Sequence, residues 1–249
     1  SGGGAIVNNG PGDQTAATRY VTLSGPTTFG GARRWDVRHP TPANDPNGRV
    51  GRWLIGNNND LTKISSNVVA FINVGDTGLR DINIRGGTLT FSRSTFMGDS
   101  SRTITVNSNA SLQLHRTSEF IDNALNKVVT ITNGTLAVES AGLTNRFIGP
   151  ITLTYSNNIT LPAATGLILE NTVSGNGSVM IRGGGFLAIL GSATYSGGTT
   201  LAGAVLRVDG TLGNGANPLA ITAASTVSGN GTILDTVTIP SGSTLSPGA

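Results

Sequence analysis

Tyr195-Ser-Gly-Gly-Thr-Thr-Leu-Ala-Gly-Ala-Val-Leu-Arg-Val-Asp-Gly-Thr-Leu212 decides the fold, together with Val227-Ser-Gly-Asn-Gly-Thr-Ile-Leu-Asp-Thr-Val-Thr-Ile239 and Ser241-Gly-Ser-Thr-Leu-Ser-Pro-Gly248 behind it. These stretches read as short β-strands separated by glycine corners. An earlier copy of the signature stands at Val173-Ser-Gly-Asn-Gly-Ser-Val-Met-Ile181. A repeat this short cannot bury an apolar face alone and must stack on its neighbours, which is the sequence mark of a solenoid.

Working forward from the N-terminal side, three more units take the same form: Asp81-Ile-Asn-Ile-Arg-Gly-Gly-Thr-Leu-Thr-Phe91, Arg102-Thr-Ile-Thr-Val-Asn-Ser-Asn-Ala-Ser-Leu-Gln-Leu114 and Val128-Val-Thr-Ile-Thr-Asn-Gly-Thr-Leu-Ala-Val138. Each is a strand, a small polar corner and a second strand. Ile84, Val106, Ile131 and Leu153 recur at intervals of 22, 25 and 22 residues, and Leu89, Leu112, Leu136 and Leu161 at 23, 24 and 25. A third column, Phe96, Phe120 and Phe147, closes the units at matching offsets. These spacings predict a core ladder of Ile84, Val106, Ile131 and Leu153 with Phe96, Phe120 and Phe147 stacked beside it. Apolar residues alternate with Thr, Asn and Ser along the strands, so one face is buried and the other wet. At 22 to 25 residues per turn the chain makes roughly ten rungs and a rod on the order of 50 Å long. A set of antiparallel hairpins is the competing fold, because Asn133-Gly134 between two strands also fits a type I′ turn.

Composition agrees with an all-β chain. There are 36 Gly in 249 residues, 37% hydrophobic and only 12% charged residues, too apolar for disorder and too poor in helix formers for a bundle. With no cysteine, neither a disulfide nor a Cys-ligated metal can hold the fold. No run approaches the roughly 20 apolar residues of a membrane span. Ser1-Gly-Gly-Gly4 carries no initiator Met and no signal-peptide pattern, and reads as the start of a processed or excised segment. Net charge is +3, with 11 of the 14 Arg at or before Arg116. That is short of the clustered cations of a nucleic-acid binder.

Residues 1–65 differ in texture. They hold both Trp, His39, half of the prolines and five Arg between Arg33 and Arg52. This part is expected to form irregular first rungs or an N-terminal cap with a protruding loop at Pro40–Gly48, and residues 66–249 the regular rungs. Arg33, Arg34, Trp35, Arg49, Arg52 and Trp53 make the best candidate binding patch, since Trp stacks on sugar or base faces and Arg grips carboxylates or phosphates. The other reading makes the two Trp a cover for the open end of the core.

Taken together, the rear residues resemble the autotransporter-associated β-strand repeat, also called the passenger-associated transport repeat. The resemblance runs through Tyr195–Leu201, Ala204–Val208, Val227–Thr232 and Gly242–Gly248, with weaker similarity at Phe29–Arg38 and Asn59–Ile64. It implies a right-handed parallel β-helix on a secreted bacterial surface protein, serving as stalk, adhesin or scaffold, with no catalytic residues to carry over. Right-handed parallel crossovers are also the general preference. The membrane β-barrel that accompanies such repeats is not in this chain.

Catalysis on a β-helix needs acid and base groups clustered on adjacent rungs. Asp99 and Asp122, with Glu119 and His115 nearby, are the pair that could stack, although corner carboxylates are commonly turn formers. Neither His39 nor His115 adjoins a nucleophile motif. The dense run Asn57-Asn-Asn-Asp60 fits hydrogen-bonded ladders better than a ligand cage. The function expected is therefore non-enzymatic and extracellular: a structural rod needing no cofactor or metal, with itself or an extracellular polysaccharide as partner and no nucleic acid. The competing functions are a glycan-binding adhesin using the Arg/Trp patch and, behind it, a polysaccharide lyase or hydrolase.

Overall fold

A computed structural model describes residues 5–39, 52–93, 95, 97, 100–115, 127–139, 142 and 144–248. Among them there is no helix. The chain is a parallel β-solenoid of about ten turns, divided into two compact units, Ser1–Val128 and Val129–Ala249.

In the first unit two parallel sheets are built by alternate visits of the chain. One stacks Ile6–Asn8, Thr27–Gly31, Arg52–Lys63, Gly75–Ile84 and Thr103–Val106. The other stacks Gln14–Thr18, Trp35–Arg38, Val68–Ile72, Gly87–Ser92 and Ala110–His115. Residues 6–63 are thus already in parallel pairing with the rungs that follow. Strand Arg52–Lys63 is long and bulged because it pairs with Val21–Thr22 near its start and with Thr27–Gly31 near its end.

The second unit has three faces, visited in strict rotation. The first holds Ile151–Thr154, Val173–Gly175, Ser192–Ala193, Thr211–Leu212 and Thr232–Ile233. The second holds Thr135–Val138, Ser156–Thr160, Ser178–Arg182, Thr199–Ala202 and Leu219–Ile221. The third holds Thr144–Phe147, Gly166–Leu169, Phe186–Ile189, Val205–Val208, Thr226–Gly229 and Thr244–Pro247.

Register places equivalent residues one above another, about 4.8 Å apart. Ile84 pairs with Val106, and Ile131 with Leu153, and all four are buried. Phe147, also buried, heads a column with Leu169, Ile189 and Val208. Phe96 and Phe120 lie outside the described residues. The second expected column needs one correction, since Leu136 pairs with Ile159 and not with Leu161. Leu161 is buried too, because it points inward two residues further along the same rung. Each such aliphatic side chain contributes about 1.5–3 kcal/mol on burial, available only when the rungs on both sides are in place.

The corners explain the glycines and asparagines. Asn133, at φ 53, turns the chain alone, and the strands it joins pair with the next rung rather than with each other; the hairpin reading therefore fails. The two Val-Ser-Gly-Asn-Gly copies lie on different faces, Val173 on the first and Val227 on the third. Their 54-residue offset is two turns and roughly two thirds of another, and they share a local corner rather than a rung position. Gly175 and Gly229 sit at φ 110 and 118, and a Cβ on either would lie 2.1 Å from the carbonyl oxygen of Leu153 or Val208. Gly175→Ala is expected to lower stability by about 1–3 kcal/mol, read as a fall in the urea midpoint, while Gly12→Ala, with open space around it, leaves the midpoint in place.

Candidate functional site

Alternation along strand Trp35–Arg38 decides the place of Trp35 in the Arg/Trp patch. Trp35 and Val37 share one face of the strand and are buried in the core, while Asp36 and Arg38 lie on the other face, where Asp36 is buried as well. Trp35 is 1% exposed, donates its indole N–H to the Gly30 carbonyl at 2.8 Å, and meets Phe29 edge-on at 4.9 Å. Phe29, Phe71 and Phe91 continue this stack at 6.3 and 5.8 Å. The Trp35 ring has no face open to a ligand. Arg34 is held by Asp36, with Nε donating to Oδ1 at 2.9 Å, and the Asp36 carboxylate is fully buried. Arg33 is exposed. Arg52 and Trp53 open a strand whose backbone pairs across to Gly75, and Arg49 lies outside the described residues. The inward turn of Trp35 was readable in the alternation of Trp35-Asp-Val-Arg38.

Asp99, Asp122 and Glu119 also lie outside the described residues. His39 and His115 are half-buried, each beside the second sheet of the first unit. The stacked carboxylates that the structure does show are Asp60 and Asp81, whose Oδ1 atoms accept the backbone N–H of Asp81 at 3.3 Å and of Thr103 at 2.9 Å. Asp60 also lies 3.6 Å from Arg80. Three further carboxylates work the same way: Asp13 accepts from Arg34, Asp209 from Asn230, and Asp235 from Asn214 and Gly215. Each binds a backbone amide of an adjacent rung. Among the described residues no three acidic, His or Cys side chains converge as a metal site.

Asn57 and Asn59 are used similarly, both donating to the Leu23 carbonyl. Asn157, buried, donates to the carbonyls of Thr154, Tyr155 and Ser178 and accepts from the Gly134 amide. Lys63 is the unexpected member of this group. Its side chain is buried, and Nζ donates to the carbonyls of Ile64, Ser65 and Gly86 at 2.6, 2.9 and 3.0 Å. An ammonium has three N–H donors, and all three are spent on one corner.

One exposed aromatic also escaped the sequence reading. Tyr155 is 74% exposed and sits at φ 59, at the corner where the preceding rung uses Asn133. A bulky residue in the left-handed region is strained. Comparison of the chain with protein-family models, with curated proteins and with solved structures finds no match.

Burial lowers the Lys63 pKa from 10.5 to about 8. Between those values the unfolded chain holds a proton that the folded chain has shed, so stability contributed through this group rises with pH across that window and is level on either side. Lys63→Met is expected to cost about 2–3 kcal/mol at pH 7 by leaving carbonyls unpartnered. The gap between the two proteins should widen from pH 8 to pH 10 in urea titrations. Tyr155→Gly should instead gain about 1 kcal/mol by removing the left-handed strain; a loss of stability would mean that the ring packs to more effect than its exposure shows.

Proposed function

We propose that this chain is a non-enzymatic extracellular structural protein, a β-solenoid that serves as a surface stalk or fibre element. The observation that carries the proposal is the use made of its polar groups. Five carboxylates, a buried lysine and a series of asparagines are committed to binding backbone groups at rung corners and between rungs. Polar side chains used this way hold rungs in register and have little capacity left for proton transfer. The outward faces are mostly Thr, Ser and Asn, as in Thr130, Thr152 and Ser174 across three neighbouring strands.

The resemblance to autotransporter-associated repeats supports a bacterial cell-surface setting, in which a stiff, repetitive and weakly charged element is useful as a spacer. Strand edges at the ends of a solenoid present unpaired backbone groups, which makes end-to-end assembly with further copies the natural partner relation; heterologous contacts of that kind build filaments. The glycan-binding reading is weakened by the burial of Trp35.

Incubation of the purified protein with a panel of uronic-acid and neutral polysaccharides is expected to yield no unsaturated or reducing-end products, and product formation would overturn the non-enzymatic reading. Electron microscopy of the same preparation separates the two structural roles, with filaments marking a fibre unit and isolated particles a stalk segment.

A further inference from the structure

Asn214-Gly215 lies in the corner between strands Thr211–Leu212 and Leu219–Ile221, with both residues exposed. Asn–Gly is the dipeptide that most readily loses its side-chain amide, because glycine puts no Cβ in the way of the reaction. The Gly215 nitrogen would bond to Asn214 Cγ, the Cγ–Nδ2 bond would break, and ammonia would leave with the proton from the Gly215 nitrogen. Water then opens the five-membered imide at one carbonyl or the other, giving aspartate or isoaspartate.

The electrophile at this corner is prepared. Asn214 Oδ1 accepts the Ala216 backbone N–H at 2.9 Å, which folds the carboxamide along the following chain and polarises its carbonyl, as a donor aimed at a developing oxyanion does. The nucleophile is held. The Gly215 N–H donates to Asp235 Oδ1 at 2.9 Å, and the same oxygen takes the Asn214 N–H at 3.1 Å. Asp235 is 7% exposed. It fits because Gly213, at φ 88, has no Cβ; one there would lie 2.2 Å from the Asp235 carboxylate carbon.

We propose that Asn214 is a latent modification site whose deamidation is held off by Asp235. To attack, the Gly215 nitrogen must turn toward Asn214 Cγ and give up its bond to a carboxylate, a charge-assisted bond stronger than an ordinary amide one. The other described Asn–Gly corners are of two kinds: at Asn9-Gly10 and Asn133-Gly134 the glycine N–H donates to a neutral side-chain carbonyl, Asn8 Oδ1 at 3.0 Å and Asn157 Oδ1 at 3.3 Å, and at the remaining two it donates to backbone. Gly177 donates to the Leu153 carbonyl at 2.9 Å and Gly231 to the Val208 carbonyl at 2.8 Å, so those amides are freed only when the backbone ladder opens. At Asn214 alone among these corners the guard is a carboxylate, that of Asp235 on the next rung. Conversion of Asn214 would put a second carboxylate on the residue whose backbone N–H Asp235 holds, and neighbouring like charges disfavour each other, so the corner once modified would be loosened.

The test is peptide mapping by mass spectrometry after prolonged incubation at mildly alkaline pH, with and without urea, on the wild type, Asp235→Ala and Asp235→Asn. Asn214 is expected to persist in the folded wild type, to convert in urea, and to convert at least tenfold faster in folded Asp235→Ala while Asn176 and Asn230 stay intact. Asp235→Asn, which keeps an acceptor oxygen but loses the charge, should convert at a rate between those of the wild type and Asp235→Ala. Conversion of Asn214 in the folded wild type at its rate in urea would overturn the proposal. So would slower conversion in Asp235→Ala, which would make the carboxylate a base that promotes the reaction. Should Asp235→Ala fail to fold, Asp235→Asn decides, and conversion of Asn214 in folded Asp235→Asn no faster than in the wild type would overturn the proposal.

Discussion

Every rung of this protein depends on its neighbours, because a turn of about twenty residues encloses too little volume to hide its own inward side chains. Phe147, Leu169, Ile189 and Val208 form one column down a face of the second unit, and each is dry only because the residues above and below cover it. Stability in such an architecture is close to a sum of nearest-neighbour terms. Selection then acts chiefly on whatever keeps successive turns in register. Strand interiors need only alternation, so the chemically distinctive residues gather at the corners.

The scarce charges follow from that constraint. A solenoid corner turns backbone amides away from the strand ladder, and buried amides without partners are costly. Asp13, Asp60, Asp81, Asp209 and Asp235 supply acceptors to amides of an adjacent rung, and Lys63 supplies three donors to carbonyls that would otherwise be unmatched. Arg34 with Asp36, Arg146 with Glu170 and Arg207 with Asp209 are paired on or between strands. The proposed structural function and the guarded Asn214 corner both rest on this use of polar groups as cross-rung fasteners.

Much of the fold was legible because solenoid register is written in residue spacing. The pairing of Ile84 with Val106 and of Ile131 with Leu153 follows from intervals of 22 in the sequence. The pairing of Leu136 was misjudged by one inward position, since Ile159 and Leu161 both face the core and spacing cannot choose between them. Corners carry less signal. Asn133-Gly134 satisfies the local needs of a hairpin and of a solenoid bend alike, and only the partners of the flanking strands distinguish the two. The Arg/Trp patch was read from residue type, whereas alternation with Val37 turned Trp35 inward. The roles of Lys63 and Asp235 needed the structure, because their partners are backbone atoms that no side-chain pattern marks.

Nuclear Overhauser contacts in an isotopically labelled sample test the stacked-rung account most directly. The account predicts cross-strand contacts between Leu136 and Ile159, Ile151 and Val173, and Leu169 and Ile189, all in the parallel pattern. Contacts between Thr132 and Thr135 across Asn133-Gly134 in the antiparallel pattern, with those three absent, would contradict it.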